Sequence, residues 1–112
     1  MEISFRTIKL EKIFNDYKKL VQEYGLENAK KISLRMAVLQ NALCLNDIPK
    51  LPPDRCHELS GERKGEFAVD IKQPRRLIFK PAHEPIPYQE DGSIDLRKIT
   101  KVQIIEVGGY HI

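Results

Sequence analysis

The chain has 112 residues, 41% of them hydrophobic, which is the length of one ordinary domain (1–112) and enough apolar content for one core. Its net charge of +3, from 19 Lys plus Arg against 16 Asp plus Glu, permits an RNA or acidic-protein partner without requiring one. No apolar run approaches the roughly 20 residues that span a bilayer, and the opening MEISFRTIKLEK lacks the apolar core of a signal peptide, so a cytoplasmic protein with no membrane partner is expected.

Ile3 and Phe5 alternate with polar residues, which predicts a short strand over 2–5. Leu10, Ile13, Phe14, Tyr17, Val21 and Tyr24 then recur at helical spacing, and Gly25 stands where a helix ends, so one continuous helix is predicted here. A second helix is predicted from residue 26 or 27 to 43. Its stripe is Ala29, Ile32, Met36, Leu39 and Leu43, widened by Leu34 and Val38. Two amphipathic helices joined at one glycine read as an antiparallel hairpin, and helices of this length need tertiary packing to persist.

The stretch NDIPKLPPD holds three prolines and reads as a loop from helices to sheet. Phe67, Val69 and Ile71 alternate with Glu66, Ala68 and Asp70 to predict a strand whose second face is polar. KQP turns the chain into another strand from Arg76 to Phe79. A long Pro-rich acidic surface loop follows over 82–98, with His83 solvated, before ITKVQIIEV supplies the last strand. The order β-α-α-β-β-β predicts an α+β fold in which a helical hairpin covers one face of a mainly antiparallel sheet.

Cys44 and Cys56 do not form a C-x-x-C pair and are expected as packed, reduced thiols. Cys56 and His57 with the distant His83 and His111 match no zinc-ligand spacing, and no metal or cofactor is expected. The entry to the first hairpin strand, ELSGERKGEF, places Arg63 and Lys64 between Gly61 and Gly65. An exposed turn explains this composition, since glycine supplies positive φ and charges suit solvent. Adjacent cations at the mouth of a strand also suit a phosphate.

Three segments in order, LPPDRCHELSGERKGEFAVDI, RRLIFKP and the terminal ITKVQIIEVGGYHI, resemble the HigB branch of the RelE/ParE superfamily of bacterial toxins. The resemblance implies a microbial-RNase-like fold and cleavage of messenger RNA on the ribosome. It also implies a cognate antitoxin, for this branch a small helix-turn-helix protein of the HigA kind. His57, Tyr110 and His111 align with residues of the family pattern. Cleavage through the 2′-hydroxyl needs a base, an acid and charge stabilisation at phosphorus, which histidine and arginine can supply without a metal. His57 and His111 are accordingly the acid–base candidates, in either order, with Tyr110 as a stacking or proton-transfer group. Arg63, Lys64, Arg76 and Arg75 are the phosphate and RNA candidates, and Arg55 is a further backbone contact.

The chain departs from the family pattern at Gly109, where an acidic residue often precedes Tyr-His; Glu106 is the nearest acid. Two other functions fit the same fold class. One is a ParE-like toxin that inhibits DNA gyrase by protein contact and needs no catalytic histidine. The other is a non-catalytic member that only binds its antitoxin.

Overall fold

Residues 1–109 are described by a computed structural model, with Tyr110, His111 and Ile112 outside the described residues. The opening strand β1 is Glu2–Phe5, followed by three helices: α1 (Ile8–Phe14), α2 (Tyr17–Tyr24) and α3 (Leu26–Asn41). Where one continuous helix was expected up to Tyr24, the chain breaks at Asn15 and Asp16. The Asp16 carboxylate accepts from the backbone N–H groups of Lys18 and Lys19 at 3.0 and 3.4 Å, so it caps a new helix instead of continuing the old one. Gly25, at φ +87°, closes α2 and starts α3 without a residue to spare. Helix α3 stops two residues short of Leu43, which is left largely exposed, as is Leu34.

Four more strands complete one sheet: β2 (His57–Glu58), β3 (Phe67–Asp70), β4 (Arg76–Pro81) and β5 (Lys101–Gly108). Their spatial order is β1-β5-β4-β3-β2; β1 runs parallel to β5 and every other neighbouring pair is antiparallel. The expected α+β architecture therefore stands, with one more helix and one more strand than the sequence pattern indicated. Strand β2 is two residues long, too short to show a period.

The core lies between the helices and one face of the sheet. Leu20, Ala29, Ile32 and Leu39 from the helices meet Phe67, Val69, Leu77, Phe79, Val102 and Ile104 from the strands. Phe67 and Phe79, directly paired across β3 and β4, stack with ring centres 6.0 Å apart. The segment between α3 and β2 adds Leu45, Ile48 and Cys56 to the same core.

The opposite face differs from the polar surface expected of it. Ala68, Ile78 and Ile105 form a second, smaller buried cluster there, with Leu59 against it. Ile105 reaches that face through a bulge: Ile78 pairs with Glu106 but the next residue, Phe79, pairs with Ile104, leaving Ile105 as the extra residue. A bulge bends the strand and turns consecutive side chains to one side. Loop 82–98 is also less solvated than its composition indicated. Tyr88 bridges to Ile94, Ile94 enters the main core, and His83 Nε2 accepts a hydrogen bond from the Thr100 N–H at 2.9 Å.

Candidate functional site

The face of the sheet turned away from the helices, called here the open face, carries two of the candidate residues, His57 and Arg76, in two adjacent transverse rows. Cross-strand partners share a face, and one row runs His57, Ala68, Ile78, Glu106 across β2, β3, β4 and β5. The adjacent row runs Asp70, Arg76, Gly108. Strand spacing and rise place the Cα atoms of His57 and Arg76 about 12 Å apart, two strands and two residues removed. That gap suits a group held between the two side chains.

Local geometry fixes the imidazole of His57. Its Nδ1 lies 2.8 Å from the carbonyl oxygen of Arg55, and a carbonyl only accepts, so Nδ1 carries the hydrogen. Arg55 itself is held in the left-handed region at φ +48°, the only non-glycine residue with positive φ among those described. Its guanidinium grips Asp70 with both arms, Nε to Oδ2 at 2.7 Å and Nη2 to Oδ1 at 3.1 Å. The hydrogen bond to Asp70 and then its charge raise the pKa of Arg55, which stays a cation throughout.

Arg76 is the cross-strand neighbour of Asp70, yet that carboxylate is committed to Arg55 and also accepts from Gln73 at 3.3 Å. Arg76 consequently has no carboxylate partner among the described residues, and its Nε is buried without an acceptor. A buried unpaired donor on a cation is costly unless something else fills its hydrogen-bonding capacity.

The two cations of the Gly61–Gly65 turn part company. Arg63 folds back over the open face, donating to Glu66 through Nε at 2.8 Å and to Glu106 on β5 through Nη1 at 3.1 Å. Burial works against its charge, but the hydrogen bonds to Glu66 and Glu106 outweigh it and leave the pKa raised. In this arrangement Arg63 straps the turn onto the sheet beside the row of Ile78. Lys64 points elsewhere, into a cleft of about 500 Å³ lined by Glu58, Gly65, Tyr88, Asp91, Ser93 and Ile94. Asp91 of the long acidic loop lines the same cleft as Lys64. Hydrogen bonds from Ser93 hold its carboxylate below the usual range.

Arg75 is exposed just before β4, near enough to Tyr24 at the end of α2 for its charge to act on the hydroxyl. Burial, then the negative charge of Glu23, raises the Tyr24 pKa; Arg75 opposes this and Glu106 adds to it. Glu66 and Glu106 were not assigned to the site from sequence. Strict alternation from Val102 and Ile104 would send Glu106 toward the helices, and only the bulge turns it to the open face. Tyr110 and His111 lie outside the described residues; Gly108, two positions before Tyr110, pairs with Arg76.

Behind His57, burial pushes the Cys56 thiol up to about 11; Lys50 opposes this and Asp54 adds to it. The unfolded thiol ionises near 9.0, so the folded state holds its proton over a range in which the unfolded state releases one. The associated stability is fully present below pH 9.0 and is lost as pH rises toward about 11, by on the order of 2 kcal/mol. Tyr24 acts in the same direction, so the check is urea unfolding of wild type and Cys56→Ala on both sides of this window. The variant should lose less stability across it. Equal losses would place the thiol's burial outside the effect.

No protein-family model matches this chain, and no curated protein matches it by sequence. Among solved structures it is similar to a YoeB/ParE toxin from Agrobacterium tumefaciens, with a TM-score of 0.57 at 11% identity over 99% of this chain and 100% of that one. The fold is that of the YoeB/ParE toxins. A YoeB-YefM complex from Staphylococcus aureus is similar too, with a TM-score of 0.50 at 18% identity, covering 100% of this chain and 98% of that one. In both cases the likeness in fold runs essentially from end to end.

Proposed function

We propose that this chain is the toxin of a toxin–antitoxin pair, of the HigB type, and that it cleaves messenger RNA on the ribosome by metal-independent acid–base chemistry. The observation that carries the reading is the open face itself. It presents a histidine with one ring nitrogen fixed as donor, and beside it an arginine whose buried Nε has no acceptor among the described residues. Arg76 would hold the scissile phosphate and the charge that develops on it. His57 and His111 would exchange protons with the 2′-hydroxyl and the departing 5′-oxygen, with Tyr110 stacking on a base or assisting proton transfer. Arg75 and Lys64, both exposed, would meet RNA backbone at the two sides of the face. The mild net charge of +3 fits an effector for which the ribosome supplies much of the binding surface.

The partner expected for such a toxin is a small antitoxin of the HigA kind, and the likeness to a structure solved as a YoeB-YefM complex supports a protein partner. A cytoplasmic site of action follows from the same proposal. The likeness to a YoeB/ParE toxin favours one second reading, inhibition of DNA gyrase by protein contact.

Mapping transcript 5′ ends after brief induction separates the two. Cuts inside translated regions are expected, lost in His57→Ala and His111→Ala and lost when translation is blocked. Growth arrest with intact messages would overturn the nuclease reading in favour of gyrase. No arrest at all would leave a chain that only binds its partner.

A further inference from the structure

We propose that Asp70 and Arg55 are a positioning pair that fixes the proton of His57 on Nδ1, and so makes its Nε2 the base of the cleavage reaction. This rests on the nuclease reading for its use, while the proton's position is a property of the fold alone.

Backbone hydrogen bonds hold the segment that leads into β2. The Arg55 N–H donates to the Leu51 carbonyl at 3.0 Å, the Cys56 N–H to the Pro49 carbonyl at 3.0 Å, and the Asp70 N–H to the Asp54 carbonyl at 2.8 Å. The first two close residues 49–56 on themselves and the third ties them to strand β3, but they leave Arg55 in a backbone conformation that a residue with a Cβ adopts reluctantly. Residues stay in such regions only where surrounding contacts over-determine them, and such residues cluster at functional sites. Here the over-determining contact is the two-armed grip of the Arg55 guanidinium on Asp70.

Asp70 is a firm anchor. Its residue is buried within the sheet, its carbonyl accepts from the Arg35 Nε at 2.6 Å, and its carboxylate accepts from Gln73 as well. With the Arg55 peptide fixed by its N–H on one side and by its own side chain on the other, its carbonyl oxygen is aimed at His57 Nδ1 at 2.8 Å.

A neutral imidazole in water prefers its hydrogen on Nε2. The Arg55 carbonyl reverses that preference, because a hydrogen on Nδ1 makes a bond that a lone pair there cannot. The neutral ring then presents a bare Nε2 on the open face. In the cleavage step Nε2 takes the proton of the 2′-hydroxyl as the 2′-oxygen bonds to phosphorus. The bond from phosphorus to the 5′-oxygen breaks, that oxygen receives a proton from the second acid–base group, and a 2′,3′-cyclic phosphate remains. This assigns the base role to His57 and leaves the acid role to His111.

The test is long-range nitrogen–proton correlation of the histidine rings at a pH about two units above the ordinary histidine value of about 6.5, with His57→Gln used to assign the signals. In wild type His57 should show the Nδ1–H form. In Asp70→Asn and Arg55→Lys, both checked for a native amide spectrum, it should move toward the Nε2–H form. Message cleavage should fall about tenfold in the same variants, since general base catalysis is worth about 10²–10⁴ in rate and only part is lost when the ring can still turn. Wild-type His57 protonated on Nε2, or an unchanged ring in either folded variant, would falsify the proposal. Should Asp70→Asn fail to fold, Arg55→Lys alone decides it. A wild-type protein that shows the Nδ1–H form yet cuts no message would defeat the nuclease reading and leave the positioning pair standing.

Discussion

Replacing Arg76 by alanine is expected to lower message cleavage about 10²–10³-fold, the usual consequence of removing one preorganised donor from a developing oxyanion, while moving the melting temperature by only about 2 °C. The two halves of this expectation have one source. Asp70, the carboxylate directly across from Arg76, is gripped by Arg55, so truncating Arg76 breaks no ion pair among the described residues. It also removes a buried Nε that has no acceptor among the described residues, which offsets the lost packing of the side-chain stem. Arg63 makes the informative contrast. Arg63→Ala releases Glu66 and Glu106 and frees the turn from the sheet, so it should reduce stability and activity together. Arg76→Lys should fall between wild type and Arg76→Ala, since an ammonium keeps the charge and loses the planar fork. Parallel measurement of cleavage rate and thermal midpoint for the three variants decides the matter. A large fall in midpoint for Arg76→Ala would make it a structural residue, and full activity would remove it from the site.

What the sequence made legible follows the length scale of each signal. Helix α3 shows its buried stripe plainly because Ala29, Ile32 and Leu39 repeat over about three turns, and β3 and β4 show theirs because Phe67, Val69, Leu77 and Phe79 are apolar at every second position. The break between α1 and α2 occupies only Asn15 and Asp16, and apolar spacing runs straight through it. The Asn-Asp pair was the signal that could have marked it, since Asp is a strong N-cap. Strand β2 is too short to show a period, and the bulge at Ile105 is set by its pairing with β4, so no local pattern encodes either. At the site, the nature of His57 and Arg76 as candidates was readable. The commitment of Arg63 to two acids was not, because Glu106 lies 43 residues away and is turned to the open face only by that bulge.

Arg35 is the residue that sequence pattern hid most completely, and its replacement is the stability change expected to be largest among the charged residues. It lies on α3 between Ile32 and Leu39, inside the apolar stripe, and is 7% exposed. Its acceptors are backbone carbonyls, that of Asp70 at 2.6 Å and that of Pro53 at 3.4 Å, so it ties the helix to β3 and to the segment that enters β2. Arg35→Ala removes the stem from a packed site and two donors from backbone carbonyls, that of Asp70 buried and that of Pro53 partly so. A loss of about 3 kcal/mol is expected, or about 10 °C in the melting temperature. Arg35→Met keeps the stem's volume and drops the cation; because desolvating a charge costs much of what its bonds return, this variant should stay within about 1 kcal/mol of wild type. The two substitutions therefore separate packing from charge. Hydrogen exchange at the Cys56 and Asp70 amides, which bond to Pro49 and Asp54, reports whether the segment loosens when the helix lets go. If it does so in Arg35→Met with stability preserved, the buried cation serves to place Asp70, and through it Arg55 and the ring of His57, more than to hold the fold. If those amides stay protected in both variants, the line of contacts from α3 to His57 ends at Asp70.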